Sequence, residues 1–282
     1  MGYYLGVPED LNPVAHIKNI ASNQFLFTTV KIKGKTKEGP VEGTGFFYAF
    51  KSSGNDKPFN ALVTCRHVLK DMTEVNLLMH FATYGQTDNN ITNLNADWMK
   101  IINFKESLVY HPDENVDLCG IPLDLLKVER GTKGLPSPII MTIPDTMAFP
   151  EEKLLELTPI EEVFIIGFPS GLTDHKTGLP IIRKGITAFH PGIDFNCKSY
   201  GLLDITAYPG SSGSPVLIYN QGTYPAQNGI SIGNRGIFLG MLTGYSPGSI
   251  DIDRADLHLG SYVKAKALDG LKNEMLNKIP PK

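Results

Sequence analysis

Short runs of β-branched and aromatic residues, each closed by Gly, Pro, Asn or Ser, recur along most of this chain and constrain its fold more than any other feature. The run at 25–33 stops at Gly34, and further runs lie at 43–50, 60–64, 75–81, 117–123, 162–168, 180–187, 201–205, 215–219 and 236–244. Strands this short with turn residues between them read as an all-β sandwich or barrel. The 28 glycines and 20 prolines are spread along the chain rather than clustered, as many tight turns require. Helical periodicity is convincing only near the ends. One stretch is 12–20, with Asn12 as cap and Pro13 at the first position, and the other is 268–276, ahead of Pro280-Pro281. Residues 83–98, with Asn at 89, 90, 93 and 95, read as a long surface excursion. Residues 131–150 read as the crossing between two halves of one β unit.

Composition narrows the function classes. With 282 residues, 41% hydrophobic and 20% charged, the chain supports a sizeable core and is not disordered over most of its length. A net charge of −3 gives no reason to expect a nucleic-acid partner or an anionic membrane surface. The longest apolar run, Val163 to Phe168, falls far short of the roughly 18–20 residues of a membrane helix. Met1 to Asp10 shows no secretory signal pattern. Cys65, Cys119 and Cys197, sparse and without a C-x-x-C spacing, argue against a disulfide framework and against a zinc site. No metal or cofactor is expected. A reducing cytoplasm is the favoured location, with a mature secreted chain as the alternative.

The segment Tyr208-Pro-Gly-Ser-Ser-Gly-Ser-Pro-Val216 carries the most chemical information. Serines between glycines also make ordinary turns. As a functional loop, Gly210 and Gly213 let the backbone take positive φ and let successive N–H groups converge on a developing oxyanion. A serine hydroxyl is a poor nucleophile without a base. His67, in Leu62-Val-Thr-Cys-Arg-His-Val-Leu69, follows an apolar strand directly and is the candidate base, although a histidine there also serves structurally. Asp117, flanked by apolar residues in Asn115-Val-Asp-Leu-Cys119, is a carboxylate that must find a donor, and an imidazole N–H is one. Asp113 is a second candidate nearby. The order His, Asp, Ser excludes the α/β-hydrolase and subtilisin arrangements and leaves the chymotrypsin order.

Five stretches in that order resemble the trypsin-like (chymotrypsin-fold) serine peptidases, in particular the bacterial HtrA-like and related cytoplasmic branches. They are Gly43-Thr-Gly-Phe-Phe47, Val63-Thr-Cys-Arg-His-Val68, Val116-Asp-Leu118, Gly167-Phe-Pro-Ser-Gly171 with Lys184-Gly-Ile186, and 204–214. The resemblance implies two six-stranded antiparallel β-barrels with the active site between them and a helix at the C-terminus. It divides the chain into an N-terminal segment (1–24), a peptidase domain (25–265, barrels at about 25–135 and 150–265) and a helix with tail (266–282). It implies His67 as general base, Asp117 as its orienting acid, Ser212 as nucleophile, and the N–H groups of Gly210 and Ser212 as the oxyanion hole. Ser211 stands where zymogen-type members carry an acid, so activation by a newly cut N-terminus is not implied.

By the same resemblance, Thr206, Ala207, Thr243, Gly244 and Tyr245 line the S1 pocket. With no carboxylate there, a preference for Arg or Lys is not expected, and a small or medium apolar P1 residue is. Too few residues follow Lys264 for a PDZ-sized domain. The implied partner is a protein or peptide substrate, and the competing reading is a catalytically inactive binding module on the same fold.

Overall fold

The computed structural model describes residues 21–51, 57–84, 91–129, 137–226, 229–244 and 258–279. The expected helix at 12–20 lies outside them. In the N-terminal half, α1 (Ala21–Gln24) leads into a 3-10 turn at Phe25–Phe27 and then β1 (Thr29–Thr36). The strand expected from residue 25 therefore starts later. The Thr28 hydroxyl donates to Phe25 O at 2.9 Å and closes the turn first. After β1 come β2 (Gly39–Phe50), β3 (Phe59–Thr64), α2 (Arg66–Leu69), β4 (Glu74–Tyr84) and β5 (Ile91–Lys100). Next are α3 (Phe104–Ser107), β6 (Val109–Tyr110), β7 (Cys119–Pro122) and β8 (Ile143–Pro144). These strands form one eight-stranded sheet in the order β5-β4-β1-β2-β3-β7-β6, with β8 parallel to β2. The six-stranded first barrel expected from the sequence is not confirmed as closed, its strands lying on a longer sheet path. Among the described residues no ladder joins its ends.

The expected surface excursion at 83–98 is mostly strand. β4 and β5 pair antiparallel with Met79 opposite Asp97. The physical reason is period-two alternation hidden by the polar count: Asn93 and Asn95 face solvent while Leu94 between them is buried beside Phe27 and Ala82.

The C-terminal half begins with α4 (Glu151–Leu154) and contains β9 (Glu162–Gly167), β10 (Ile181–Thr187), β11 (Tyr200–Asp204) and β12 (Pro215–Asn220). A hairpin of β13 (Thr223–Ala226) and β14 (Gly229–Ile232) follows, then β15 (Arg235–Gly244), β16 (Leu259–Lys264) and α5 (Leu268–Lys278). Six of these strands close a barrel in the order β10-β11-β16-β15-β12-β9. The sequence pattern gives no strand at 259–264, yet β16 closes the barrel there between β11 and β15.

Alternation along the barrel strands also joins the halves. Ile237 and Leu239 point into the barrel with Val163 and Ile165. Phe238, between them, leaves the barrel and packs 5.4 Å from both Phe46 and Tyr48 of β2. Ile166, Leu217 and Val263 enter the same shared core, which α5 covers with Leu268, Leu271 and Met275. No described helix is long and apolar enough to cross a membrane. All three cysteines are free, Cys65 and Cys119 buried and Cys197 exposed.

Candidate active site

His67 is presented by a short helix at the end of an apolar strand. β3 ends at Thr64, and Cys65 after it holds an extended conformation (φ −69°, ψ 142°) and caps α2. The helix buries Val68 and Leu69 and leaves the His67 side chain 51% exposed. It lies so close to β2 that a Cβ on Gly43 would stand 2.6 Å from Val68.

Asp117 sits in irregular backbone before β7 rather than at the start of the expected 117–123 strand. Its Oδ1 accepts from the His67 backbone N–H at 2.9 Å and its Oδ2 meets His67 Nδ1 at 2.6 Å. Burial works against the Asp117 charge. The hydrogen bonds and charge of His67 outweigh it and hold the carboxyl below its usual pKa. An ionised carboxylate only accepts, so Nδ1 carries a proton, and in the neutral form of the ring Nε2 is the nitrogen that can accept one. Tyr200 of β11 braces this loop from the other half. Asp117 N–H donates to the Tyr200 hydroxyl at 3.2 Å, and that hydroxyl donates to Asn115 O at 3.0 Å. Asp113 points elsewhere, its Oδ1 accepting from the backbone and side-chain amides of Asn115 at 2.9 and 3.0 Å.

Ser212 stands between Gly210 (φ +84°) and Gly213 (φ +93°), conformations that favour glycine. Its hydroxyl donates to Thr243 O at 3.3 Å and makes no hydrogen bond to His67. In the loop, Ser211 N–H donates to Tyr208 O, Gly213 N–H to Leu242 O and Ser214 N–H to Ser211 O. The Gly210 and Ser212 N–H groups have no acceptor among the described residues. The peptides of the described residues are all trans, so the Ser212 N–H points opposite to Ser211 O, which Ser214 already holds at 3.0 Å.

A residue that the sequence reading did not single out fixes this loop. Thr44 of β2 donates its backbone N–H to Ser212 O at 2.9 Å and its hydroxyl to Gly210 O at 2.7 Å. The same hydroxyl accepts from Phe168 N–H at 3.1 Å. Thr64 in turn donates to Thr44 O at 2.6 Å. The only sequence signal was the position of Thr44 inside the Gly43-Thr-Gly45 stretch.

His67, Asp117 and Ser212 line one open cleft of about 510 Å³ with Arg66, Lys70, Glu114, Tyr208 and Pro209. Of the expected S1 residues, Ala207, Thr243 and Gly244 line it too, whereas Tyr245 lies outside the described residues. Thr206 does not wall the cleft. Its hydroxyl is 3.1 Å from His258 Nδ1 and its carbonyl accepts from Arg183 at 2.6 Å. Cys65, His67 and Asp117 bring potential metal-ligating atoms within 4.8 Å of one another. The Cys65 thiol is fully buried and pushed well above its usual pKa, first by burial and then by the Asp117 charge.

No curated protein matches the sequence at a significant level. Among solved structures the chain is similar to the active form of the Rv3671c protease from M. tuberculosis, at TM-score 0.49 and 18% identity over 96% of this chain and 94% of that one. It is also similar to the serine endoprotease from Yersinia pestis, at TM-score 0.43 and 13% identity over 92% of this chain and 67% of that one. The sequence profile of the trypsin-like peptidase domain matches residues 43–223, well over half the chain. This chain therefore belongs to the trypsin-like peptidase family.

Proposed function

We propose that this chain is a serine endopeptidase that cleaves peptide bonds in protein or peptide substrates through an acyl-enzyme. Ser212 Oγ attacks the scissile carbonyl, and His67 Nε2 takes its proton. Asp117 holds the imidazole in the required tautomer and stabilises the imidazolium that forms. The Gly210 and Ser212 N–H groups receive the carbonyl oxygen as it becomes an oxyanion, a contribution of about 3–4 kcal/mol for a single donor. His67 returns the proton to the leaving amine. Water, activated by the same imidazole, then hydrolyses the acyl-enzyme.

The observation that carries this reading is that the Gly210 and Ser212 amides have no acceptor among the described residues, while those of Ser211, Gly213 and Ser214 each find one, opposite a formed His67–Asp117 pair. It also weighs against an inactive binding module, in which nothing requires those two donors to stay free. In the unliganded site Ser212 Oγ rests on Thr243 O, and the contact with His67 forms as substrate enters.

At the specificity end, Ala207, Tyr208, Pro209, Thr243 and Gly244 supply no acidic group. The Arg183 guanidinium beside Thr206, 4.9 Å from the Tyr208 ring, adds positive charge and disfavours a basic P1 side chain.

Ser212→Ala tests the assignment. Peptidase activity and labelling by a fluorophosphonate probe both disappear in that variant. Labelling that persists on another serine, or a wild-type protein that neither labels nor cleaves a peptide library, overturns it.

A further inference from the structure

Lys31 lies within β1 and is only 7% exposed. An ammonium removed from water to that extent is costly unless it is paired. Its Nζ lies 3.1 Å from Glu42 Oε2 and 5.9 Å from the centre of the Trp98 ring, and it donates to Gly171 O at 2.9 Å. None of these partners lines the catalytic cleft. Gly171 closes the 3-10 turn Pro169–Gly171 that follows β9 in the other half of the molecule. Ser170 (φ +50°) and Gly171 (φ +70°) are both left-handed, a conformation that costs a non-glycine residue about 1–2 kcal/mol and needs outside support.

The turn touches the oxyanion loop directly. A Cβ on Gly210 would stand 2.6 Å from Phe168 O and 3.2 Å from Gly171 N. Ser170 N–H donates to Pro209 O at 2.6 Å. Pro209 O and the Gly210 N–H belong to one trans peptide, so holding the carbonyl toward Ser170 turns the Gly210 N–H the opposite way. Gly210 has no Cβ to resist rotation of that peptide, and Ser211 carries no charge to anchor the loop.

We infer that Lys31 is a positioning residue for the oxyanion site. From the N-terminal half its ammonium holds the 169–171 turn in place, and the turn holds the Pro209–Gly210 peptide with its N–H available for the oxyanion. The inference rests on the peptidase reading above, in which Gly210 is a donor. It adds that the donor's orientation is set across the two halves by the hydrogen bond from the buried Lys31 ammonium to Gly171 O and requires no charged group on the serine loop itself.

The test is steady-state kinetics of Lys31→Met and Lys31→Arg on folded protein, with active sites counted by fluorophosphonate. Loss of a transition-state interaction lowers kcat and kcat/KM together, so Lys31→Met loses about tenfold or more in kcat at unchanged KM. The Ki of a peptide aldehyde, whose adduct places an oxyanion in the site, rises by a similar factor. A cleaved peptide product binds as before, and Lys31→Arg recovers most of the activity.

A methionine variant with a lowered Tm but wild-type kcat per active site and wild-type aldehyde affinity overturns the inference. If that variant does not fold, Gly171→Ala, whose added methyl would crowd Glu42 Oε2 and Lys31 Nζ, decides by the same readouts. A wild-type chain with neither labelling nor turnover removes the peptidase reading, and this inference with it. Active wild type with unaffected variants removes this inference alone.

Discussion

Two carboxylates four residues apart in the sequence, Asp113 and Asp117, have separate jobs in the structure, and local hydrogen bonding separates them. Asp113 folds back on Asn115 in a turn, while Asp117 gives one oxygen to the His67 backbone and the other to its ring. Asp117→Asn keeps the shape but replaces the charged acceptor by an amide that admits the wrong imidazole tautomer. A loss of about 10⁴-fold in kcat is expected. Asp113→Asn disturbs only its own turn and leaves kcat within about twofold. Parallel kinetics of the two variants check this, and a crippled Asp113→Asn beside an active Asp117→Asn would reverse the assignment. His67, Asp117 and Ser212 were legible as candidates that share one cleft, because side-chain chemistry is written in residue type and chain order. Tyr200, Thr44 and Lys31 were not. Each acts on a partner far along the chain, 83 residues from Asp117, 166 from Gly210 and 140 from Gly171 respectively, and no local pattern encodes such a meeting.

Among the elements, β2 does most to align the site. Its register places Phe46 opposite Thr29 on one side and Val63 on the other, so Thr44 emerges from the sheet beside the serine loop. Thr44→Val preserves shape and strand propensity but deletes the hydroxyl that bridges Gly210 O and Phe168 N–H. Leaving the buried Phe168 amide unpartnered costs about 1–3 kcal/mol. For a chain of this size that lowers Tm by about 2–10 °C. kcat falls as well, because Gly210 loses one of its restraints. Thr44→Ser keeps both hydrogen bonds and stays near wild type in both measurements. A valine variant indistinguishable from the serine variant would remove Thr44 from the positioning role.

Element boundaries were less readable than element existence. β5 was hidden because its outward positions are asparagines and its inward ones are few. At Phe25–Phe27, by contrast, strand-forming residues were diverted into a turn by a hydroxyl contact that propensity does not report.

On the scale of the whole molecule, the sequence indicated two β halves, and the closed six-stranded barrel appears in the C-terminal one. Whether a sheet closes depends on which remote strands pair, and period-two alternation carries no information about that. What joins the halves is equally non-local: the Phe238 contacts, the Lys31 anchor, and His80 of β4, whose Nε2 lies 3.0 Å from Gly178 O in the β9–β10 connection. His80 is 3% exposed, with the Phe27 ring edge-on at 5.7 Å. Burial pushes its pKa below the usual histidine value, against a smaller opposing effect of the Gly178 hydrogen bond. The neutral ring donates from Nε2 to that carbonyl.

Below the unfolded-state pKa of about 6.5 the unfolded chain binds a proton that the native chain excludes. The His80 contribution is therefore complete above that value, declines as pH falls below it, and levels off beneath the folded-state pKa. Denaturant unfolding at about pH 7.5 and about pH 5.5 measures the decline, at most about 1.4 kcal/mol per pH unit for a single group. His80→Gln retains a donor toward Gly178 without a titrating proton, and its loss of stability over the same interval is smaller than that of the wild type. Equal losses in the two proteins would mean that other groups carry the pH dependence and that the His80 contact between the halves does not respond to protons.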